Sequence, residues 1–149
     1  MSDDKRPGGL TALAVLNFVF SAVELIGALG FAALPMLQQG PGLNDAQRTQ
    51  LEAMTSLGTG LLAALAAGGA ICGVLLIVSG VGYLKQKRLL GRTMGNTYAV
   101  FSIATAVPAA LWIPAQLGGG FSLSTILSLV YPLLTLLLLN LTFKEDLVN

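Results

Sequence analysis

The stretch from Gly68 to Ala99 reads GGAICGVLLIVSGVGYLKQKRLLGRTMGNTYA. An apolar run rich in small residues enters a tight basic turn at 85–92, and a second apolar run leaves it. A basic turn between two long apolar runs indicates a helical hairpin that crosses a membrane twice, with its turn held in the cytoplasm. The stretch therefore predicts a pair of antiparallel membrane-spanning helices.

The composition of the whole chain is typical of a membrane protein. Of its 149 residues, 54% are hydrophobic and only 10% are charged, whereas a soluble domain has roughly 25% charged residues. A helix needs roughly 20 apolar residues to cross the hydrocarbon core, and four runs reach that length: about 10–37, 57–84, 93–113 and 121–143. We therefore predict one transmembrane domain over residues 1–149, an all-α, antiparallel up-down bundle of four membrane-spanning helices after a disordered tail at 1–9.

The positive charges predict how this bundle is oriented. Seven of the eight basic residues lie at the amino terminus, in the second turn or near the carboxyl terminus, and only Arg48 lies in the first connection. Because positively charged loops remain in the cytoplasm, both termini and the second turn are expected inside a cell whose inner (plasma) membrane the protein spans. The first apolar run is longer than the roughly 15 residues of a signal-peptide core, so we expect an uncleaved first span.

The first outer connection contains a short helix signal. Asn44 is a favourable residue at a helix start, and Gln47 follows three positions later, as in a capping box. The segment that follows contains good helix formers and no breaker. We therefore predict a short helix on the outer surface that leads into the second span.

Small residues recur at a spacing of three or four in the second and third predicted spans. Such spacing lets two helix backbones approach closely. Because the basic turn joins these spans directly, we predict that they pack against each other through Gly69, Gly73, Gly91, Gly95 and Ala99.

Glu24 is the only acid or base deep within a predicted span, roughly 21 Å along the first helix. A carboxylate in a membrane is costly and generally faces the bundle interior, where desolvation favours its neutral form. Three interpretations are open: a protonated Glu24 that donates a hydrogen bond and fixes helix packing, a site for a proton or a cation, or a glutamate that faces a water-filled groove and has no role. By depth, its partners are expected among Tyr131, Thr135, Ser102 and Thr105.

Two asparagines lie at similar depth near the predicted inner face. Asn17 belongs to the first span and Asn96 to the third. Hydrogen bonds between helices commonly join such side chains in membrane proteins. We therefore expect Asn17 and Asn96 to bind each other.

The basic turn itself has two compatible interpretations. It is a topology signal, and it is a candidate site for anionic lipid headgroups, which attract clustered cations by about 1 kcal/mol each. Neither interpretation implies a nucleic-acid partner. The residues concerned are Lys85, Lys87, Arg88 and Arg92.

Several chemistries are excluded or disfavoured by what the chain lacks. It has no histidine and only one cysteine, Cys72, so histidine catalysis and an intrachain disulfide are excluded and a transition-metal site is not expected. The sequence shows no nucleophile–base set, no paired carboxylates and no phosphate-binding glycine loop. We therefore expect no enzyme activity, no cofactor and no metal.

Two resemblances bear on the fold and on Glu24. The hairpin 80–84, the basic turn, Gly91-Arg92 and the segment 95–99 resemble small bacterial four-span integral membrane proteins of unknown function, which implies a topology and no activity. The segments 24–27 and 98–102 are similar to first- and third-helix segments of the small multidrug resistance transporters. That similarity implies a first-helix glutamate shared by protons and cationic drugs, here Glu24, with Tyr98 as a further site residue. Phe101 stands where that family usually has a tryptophan.

Two functions follow as alternatives. The leading prediction is a structural or interaction protein of the bilayer, such as a homo-oligomer or the accessory subunit of another membrane protein. The alternative is a small proton-coupled transporter that uses Glu24 together with Tyr131, Thr135 and Tyr98. A polar cavity that reaches Glu24 from one side would favour transport, and a dry, packed Glu24 would favour the structural role.

Overall fold

The computed structural model describes residues 8–38, 40–113 and 123–147, which form helices and turns. One short π-helical turn, Leu89–Thr93, directly precedes the third of the four long helices, and another, Leu138–Thr142, directly follows the fourth. The prediction of an all-α chain is confirmed. The helices are α1 (Gly8–Leu37), α2 (Asp45–Thr55), α3 (Thr59–Leu84), α4 (Met94–Trp112) and α5 (Leu123–Leu137).

The four long helices occupy the four predicted apolar runs. Helix α1 begins at Gly8, within the predicted tail, whose residues 1–7 lie outside the described residues. Residues 121–122 of the fourth predicted run also lie outside them. Apolar run length therefore located all four long helices, because it is a local property of the chain.

The predicted short helix after the first run is confirmed as α2. The Asn44 side chain accepts a hydrogen bond from the Gln47 backbone N–H at 2.8 Å, and the Gln47 side chain accepts one from the Asn44 N–H at 3.0 Å. This reciprocal pair is the capping box that the sequence predicts. At its other end α2 is tied to the end of α1, because Gln38 donates a hydrogen bond to the Thr55 hydroxyl.

Helices α1 and α3 are each long and apolar enough to cross a membrane. Their most apolar 18-residue windows have mean hydropathies of 2.0 and 2.6. Only 28% and 22% of the residues in these windows are buried inside the protein, so most of their apolar side chains face outward. The last helix and its π-helical turn form a shorter apolar helix, Ser128–Thr142.

The most extensive helix contact joins α1 to α3. Three glycines of α3 lie so close to α1 that a β-carbon at each would lie 3.3–3.4 Å from a backbone carbonyl oxygen of α1. The number of the α1 residue falls as that of the α3 residue rises, so the two helices are antiparallel. The pairs are Gly69 with Glu24, Gly73 with Ser21, and Gly80 with Ala14.

The predicted partner of Gly69 and Gly73 is therefore wrong, because both face α1 and not α4. Small residues occur on several faces of α3, and their spacing does not specify which face meets which helix. Helices α3 and α4 meet closely beside the basic turn, where the Tyr83 ring fits against Gly91 and Gly95. Ala99, one turn further along α4, is fully buried in the core.

The core lies in the half of the bundle next to the turn 85–88, which we call the basic end; the opposite half is the far end. All four long helices and the segment after α5 contribute side chains to it. The far end contains few buried side chains. The core residues are Leu10, Leu13, Ala14, Cys72, Leu76, Tyr83, Tyr98, Ala99, Tyr131, Leu139, Phe143 and Leu147.

The hairpin supplies a test of this packing. At Gly82 a β-carbon would overlap the backbone of Leu90 and Gly91, which no side-chain rotation relieves. We expect Gly82→Ala to lower the free energy of unfolding by about 1–3 kcal/mol, measured by denaturant titration in detergent micelles. Gly68→Ala, on the same helix with open space around the added methyl group, is the control and should be neutral or stabilising by up to about 1 kcal/mol. Equal effects of the two changes would contradict the close approach at Gly82.

Candidate functional site

A buried asparagine joins three helices at the boundary between the core and the far end. The Asn17 amide nitrogen donates to the Ser79 hydroxyl at 2.6 Å and to the Leu76 carbonyl at 3.3 Å. The Tyr131 hydroxyl donates to the Asn17 side-chain oxygen. We call Asn17, Ser79 and Tyr131 the Asn17 network; it connects α1, α3 and α5.

The expected pairing of Asn17 with Asn96 is not found. Asn96 instead pairs with Asn140, whose amide donates to the Asn96 oxygen at 3.0 Å and whose oxygen accepts from the Asn96 amide at 3.3 Å. Similar depth in the membrane does not determine which asparagines pair. The Asn17 amide faces α3 and α5, whereas the Asn96 amide faces the π-helical turn that contains Asn140. Asn140 was missed in the sequence, although a single asparagine within a leucine-rich run is the signal that marks it.

Aromatic rings surround the Asn17 network on its other sides. The Tyr131 ring lies 4.2 Å from the Phe20 ring and 6.2 Å from the Tyr98 ring, centroid to centroid. The buried Tyr83 hydroxyl has no hydrogen-bond partner within the described part of the chain. Rings and network together fill the basic end down to the level of Asn17.

Beyond the Asn17 network, toward the far end, the helices enclose a cavity of about 430 Å³. Its walls come from the far halves of α1, α3 and α4, with one residue from α5, and they are mostly apolar. Pockets for small molecules typically have volumes of roughly 300–1,000 Å³. The polar groups on its walls are Glu24, Ser102, Thr105 and Ser128.

Among the described residues, Glu24 is the only charged one that lines this cavity, and its side chain is half-buried. It makes no hydrogen bond or ion pair with any residue that the structure describes. Cys72 lines the same cavity. The carboxyl group therefore reaches an apolar cavity without a hydrogen-bond or ion-pair partner among the described residues.

The expected partners of Glu24 are divided between two places. Ser102 and Thr105 line the same cavity, but the Thr105 hydroxyl donates to carbonyls of its own helix at 3.0 Å. Tyr131 belongs to the Asn17 network, and Thr135 donates to the Tyr131 carbonyl at 2.9 Å. The structure thus places residues of α4 on the same cavity as Glu24. Tyr131 of α5 instead binds Asn17, and Thr135 binds a carbonyl of its own helix.

The four basic residues of the turn are not equivalent. Lys85, Lys87 and Arg88 are exposed, whereas Arg92 is half-buried and hydrogen-bonded to Asn140. Within the described residues, no group of three or more cysteine and carboxylate side chains lies close enough together to hold a metal ion.

Comparison of the chain with protein-family models, curated proteins and solved structures finds no significant match. The resemblances based on sequence motifs stay predictions. The function is therefore argued from the geometry of the cavity and of the two polar clusters.

The Asn17 network is open to a double-mutant test. Replacing Asn17 by Ala removes the acceptor of the buried Tyr131 hydroxyl and the amide donor to Ser79, whose hydroxyl keeps its bond to the Leu76 carbonyl, so stability should fall by about 1–3 kcal/mol. In a cycle with Tyr131→Phe, the coupling energy should be at least about 0.5 kcal/mol. The control is Ser128→Ala, whose exposed hydroxyl bonds only within its own helix, and which should change little. A coupling energy of zero would show that the network does not hold α1 and α5 together.

Proposed function

We propose that this chain is a four-span integral membrane protein of the inner membrane, with both termini in the cytoplasm and α2 on the outer surface. Large apolar side chains are exposed on α4 and α5 as well as on α1 and α3. A soluble monomer rarely exposes a contiguous apolar patch larger than a few hundred Å². A surrounding bilayer would cover side chains such as Val23, Ile26, Val100, Leu111, Leu133 and Leu137.

Cysteine labelling tests this topology. In a background with Cys72→Ala, a cysteine at position 88 should react with a membrane-impermeant thiol reagent only after the cells are opened. A cysteine at position 48 should react in intact cells, because Arg48 lies in the predicted outer connection. Labelling of position 88 in intact cells would overturn the orientation.

Within this architecture we propose that Glu24 exchanges a proton for a cation, as in a small proton-coupled transporter. The observation that carries this proposal is a carboxyl group on the wall of a 430 Å³ cavity with no partner among the described residues. A residue that only fixed helix packing would need a hydrogen-bond partner on a neighbouring helix, since an unsatisfied buried polar group is costly. A bound cation supplies that missing partner, and a bound proton removes the charge of the carboxylate when no cation is present.

The shape of the site supports access from one side. The cavity lies in the far half of the bundle, which faces outward in the proposed topology, and the core and the Asn17 network fill the other half. Its apolar walls favour a cation that carries apolar groups, because such groups gain free energy on leaving water. The Glu24 carboxyl group and the apolar walls together fit an amphipathic organic cation.

Proton release measures this exchange directly. Adding tetraphenylphosphonium to the purified protein in weakly buffered detergent should release protons from the wild type, with one site per chain. Glu24→Gln keeps the shape of the side chain and should abolish the release while thermal stability stays unchanged. Glu52→Gln on the exposed face of α2 is the matched control and should release protons as the wild type does.

Two results would contradict the transport proposal. One is the absence of proton release from wild-type protein with this cation and with smaller alkylammonium ions. The other is proton release that persists in Glu24→Gln, which would place the titrating group elsewhere.

The structural or accessory role, which leads the sequence prediction, is the second candidate. Its specific support is a pair of glycines that no described residue covers and that do not line the cavity: Gly30 on α1 and Gly60 on α3. Uncovered small residues allow another helix to approach closely. If this role is correct, Gly30→Leu should separate an oligomer or complex seen by size-exclusion chromatography with light scattering, and Glu24→Gln should leave it intact.

A further inference from the structure

The two π-helical turns face each other at the basic end. Thr93 N–H donates to the Arg88 carbonyl at 3.1 Å, and Phe143 N–H donates to the Leu138 carbonyl at 2.8 Å. Such wide turns are rare and are frequently found at functional sites. One contains Arg92 and the other contains Asn140, and these two side chains bind each other.

The Arg92 guanidinium is fixed by neutral groups only. Its Nε and one Nη donate to the Asn140 oxygen at 3.2 and 3.0 Å. Asn140 is held in turn by Asn96 and by the Leu136 carbonyl, at 3.0 and 2.8 Å. No carboxylate among the described residues pairs with Arg92. A half-buried cation without an anion is unfavourable, and this guanidinium has no counter-charge among the described residues.

The neighbouring turn adds three more cations in a fixed arrangement. Lys87 N–H donates to the Gly82 carbonyl at 2.9 Å, and Gly91 N–H donates to the Lys87 carbonyl at 2.7 Å. These bonds and the contact between Gly82 and Gly91 hold the turn against α3 and α4. Lys85, Lys87 and Arg88, whose side chains are exposed, therefore lie on the same backbone-anchored segment that leads into Arg92.

Two further features indicate what the site binds. Leu89 and Leu141, which adjoin Arg88 and Asn140 in sequence, are 66% and 76% exposed. Cations beside exposed leucines suit a ligand that has both an anionic group and hydrocarbon chains. Glu145 and Asp146 lie in the segment that packs on Gly91 through Leu147, yet neither forms an ion pair with the turn. The described carboxylates therefore leave the positive charge of the turn unpaired.

We propose that this site binds the phosphate of an anionic phospholipid in the inner leaflet, with Arg92 as its fixed cation. A guanidinium donates paired hydrogen bonds to phosphate oxygens, which a single ammonium cannot do. Lys85, Lys87 and Arg88 supply the surrounding positive charge, and Leu89 and Leu141 contact the acyl chains. The site depends on the proposed topology, which labelling at position 88 tests separately, and it is independent of the role of Glu24.

Lipid titration of the purified protein tests this site. Phosphatidylglycerol added to the protein in detergent should raise its melting temperature, and phosphatidylcholine and inorganic phosphate should not. Arg92→Gln should weaken the apparent affinity for phosphatidylglycerol about fivefold, the effect of one lost cation. Arg48→Gln, which removes a cation from the opposite side, should leave that affinity unchanged.

A second variant keeps the test decisive if Arg92→Gln does not fold. Asn140→Asp gives Arg92 a carboxylate partner, and this ion pair offsets the loss of the amide donor to Asn96 and to the Leu136 carbonyl, so the protein should still fold but bind phosphatidylglycerol at least about fivefold more weakly. Unchanged lipid affinity in Asn140→Asp would overturn the assignment of Arg92. Equal stabilisation by inorganic phosphate, or an equal loss in Arg48→Gln, would overturn the lipid site in favour of free phosphate or of diffuse charge attraction.

Discussion

The hydrogen bonds of Asn17 are the constraint on which the rest of the structure depends. Its amide is fully buried in an apolar interior, where an unpaired polar group costs free energy. It is satisfied only when Ser79 of α3 and Tyr131 of α5 stand at matching heights. A shift of either helix along α1 would break these bonds. The network therefore sets the register of three helices at once.

The two ends of the bundle differ because of where this network lies. On one side of it, large rings and leucines fill the space between all four long helices. On the other side, α1 and α3 stay in contact through Gly69 and Gly73, while the interior toward α4 and α5 is left open as the cavity. Glu24 lies two turns beyond Asn17, roughly 10 Å along α1. At that distance Glu24 lies in the far end of the bundle, on the wall of the cavity.

The sequence predicted features that depend on local pattern. Run length located the four long helices, and the Asn44–Gln47 pair located α2, because both are properties of short segments. The partners of Gly69, Gly73, Asn17 and Asn96 were not predicted correctly, because several faces of each helix carry suitable residues and long-range packing chooses among them. Glu24 was singled out because a charged residue is rare in an apolar run. The cavity beside it, however, exists because the four packed helices leave space between them. No single segment contains that information.

We propose that the bundle is closed at the basic end and open to the outside at Glu24. The most direct test compares two alanines of α4 in a Cys72→Ala background: Ala106, which lines the cavity, and Ala99, which is fully buried in the core. A small, charged, membrane-impermeant thiol reagent should modify Ala106→Cys from the outer side and leave Ala99→Cys unmodified, and a saturating organic cation should slow the reaction at position 106. An unreactive Ala106→Cys, or one modified only from the cytoplasmic side, would contradict the account.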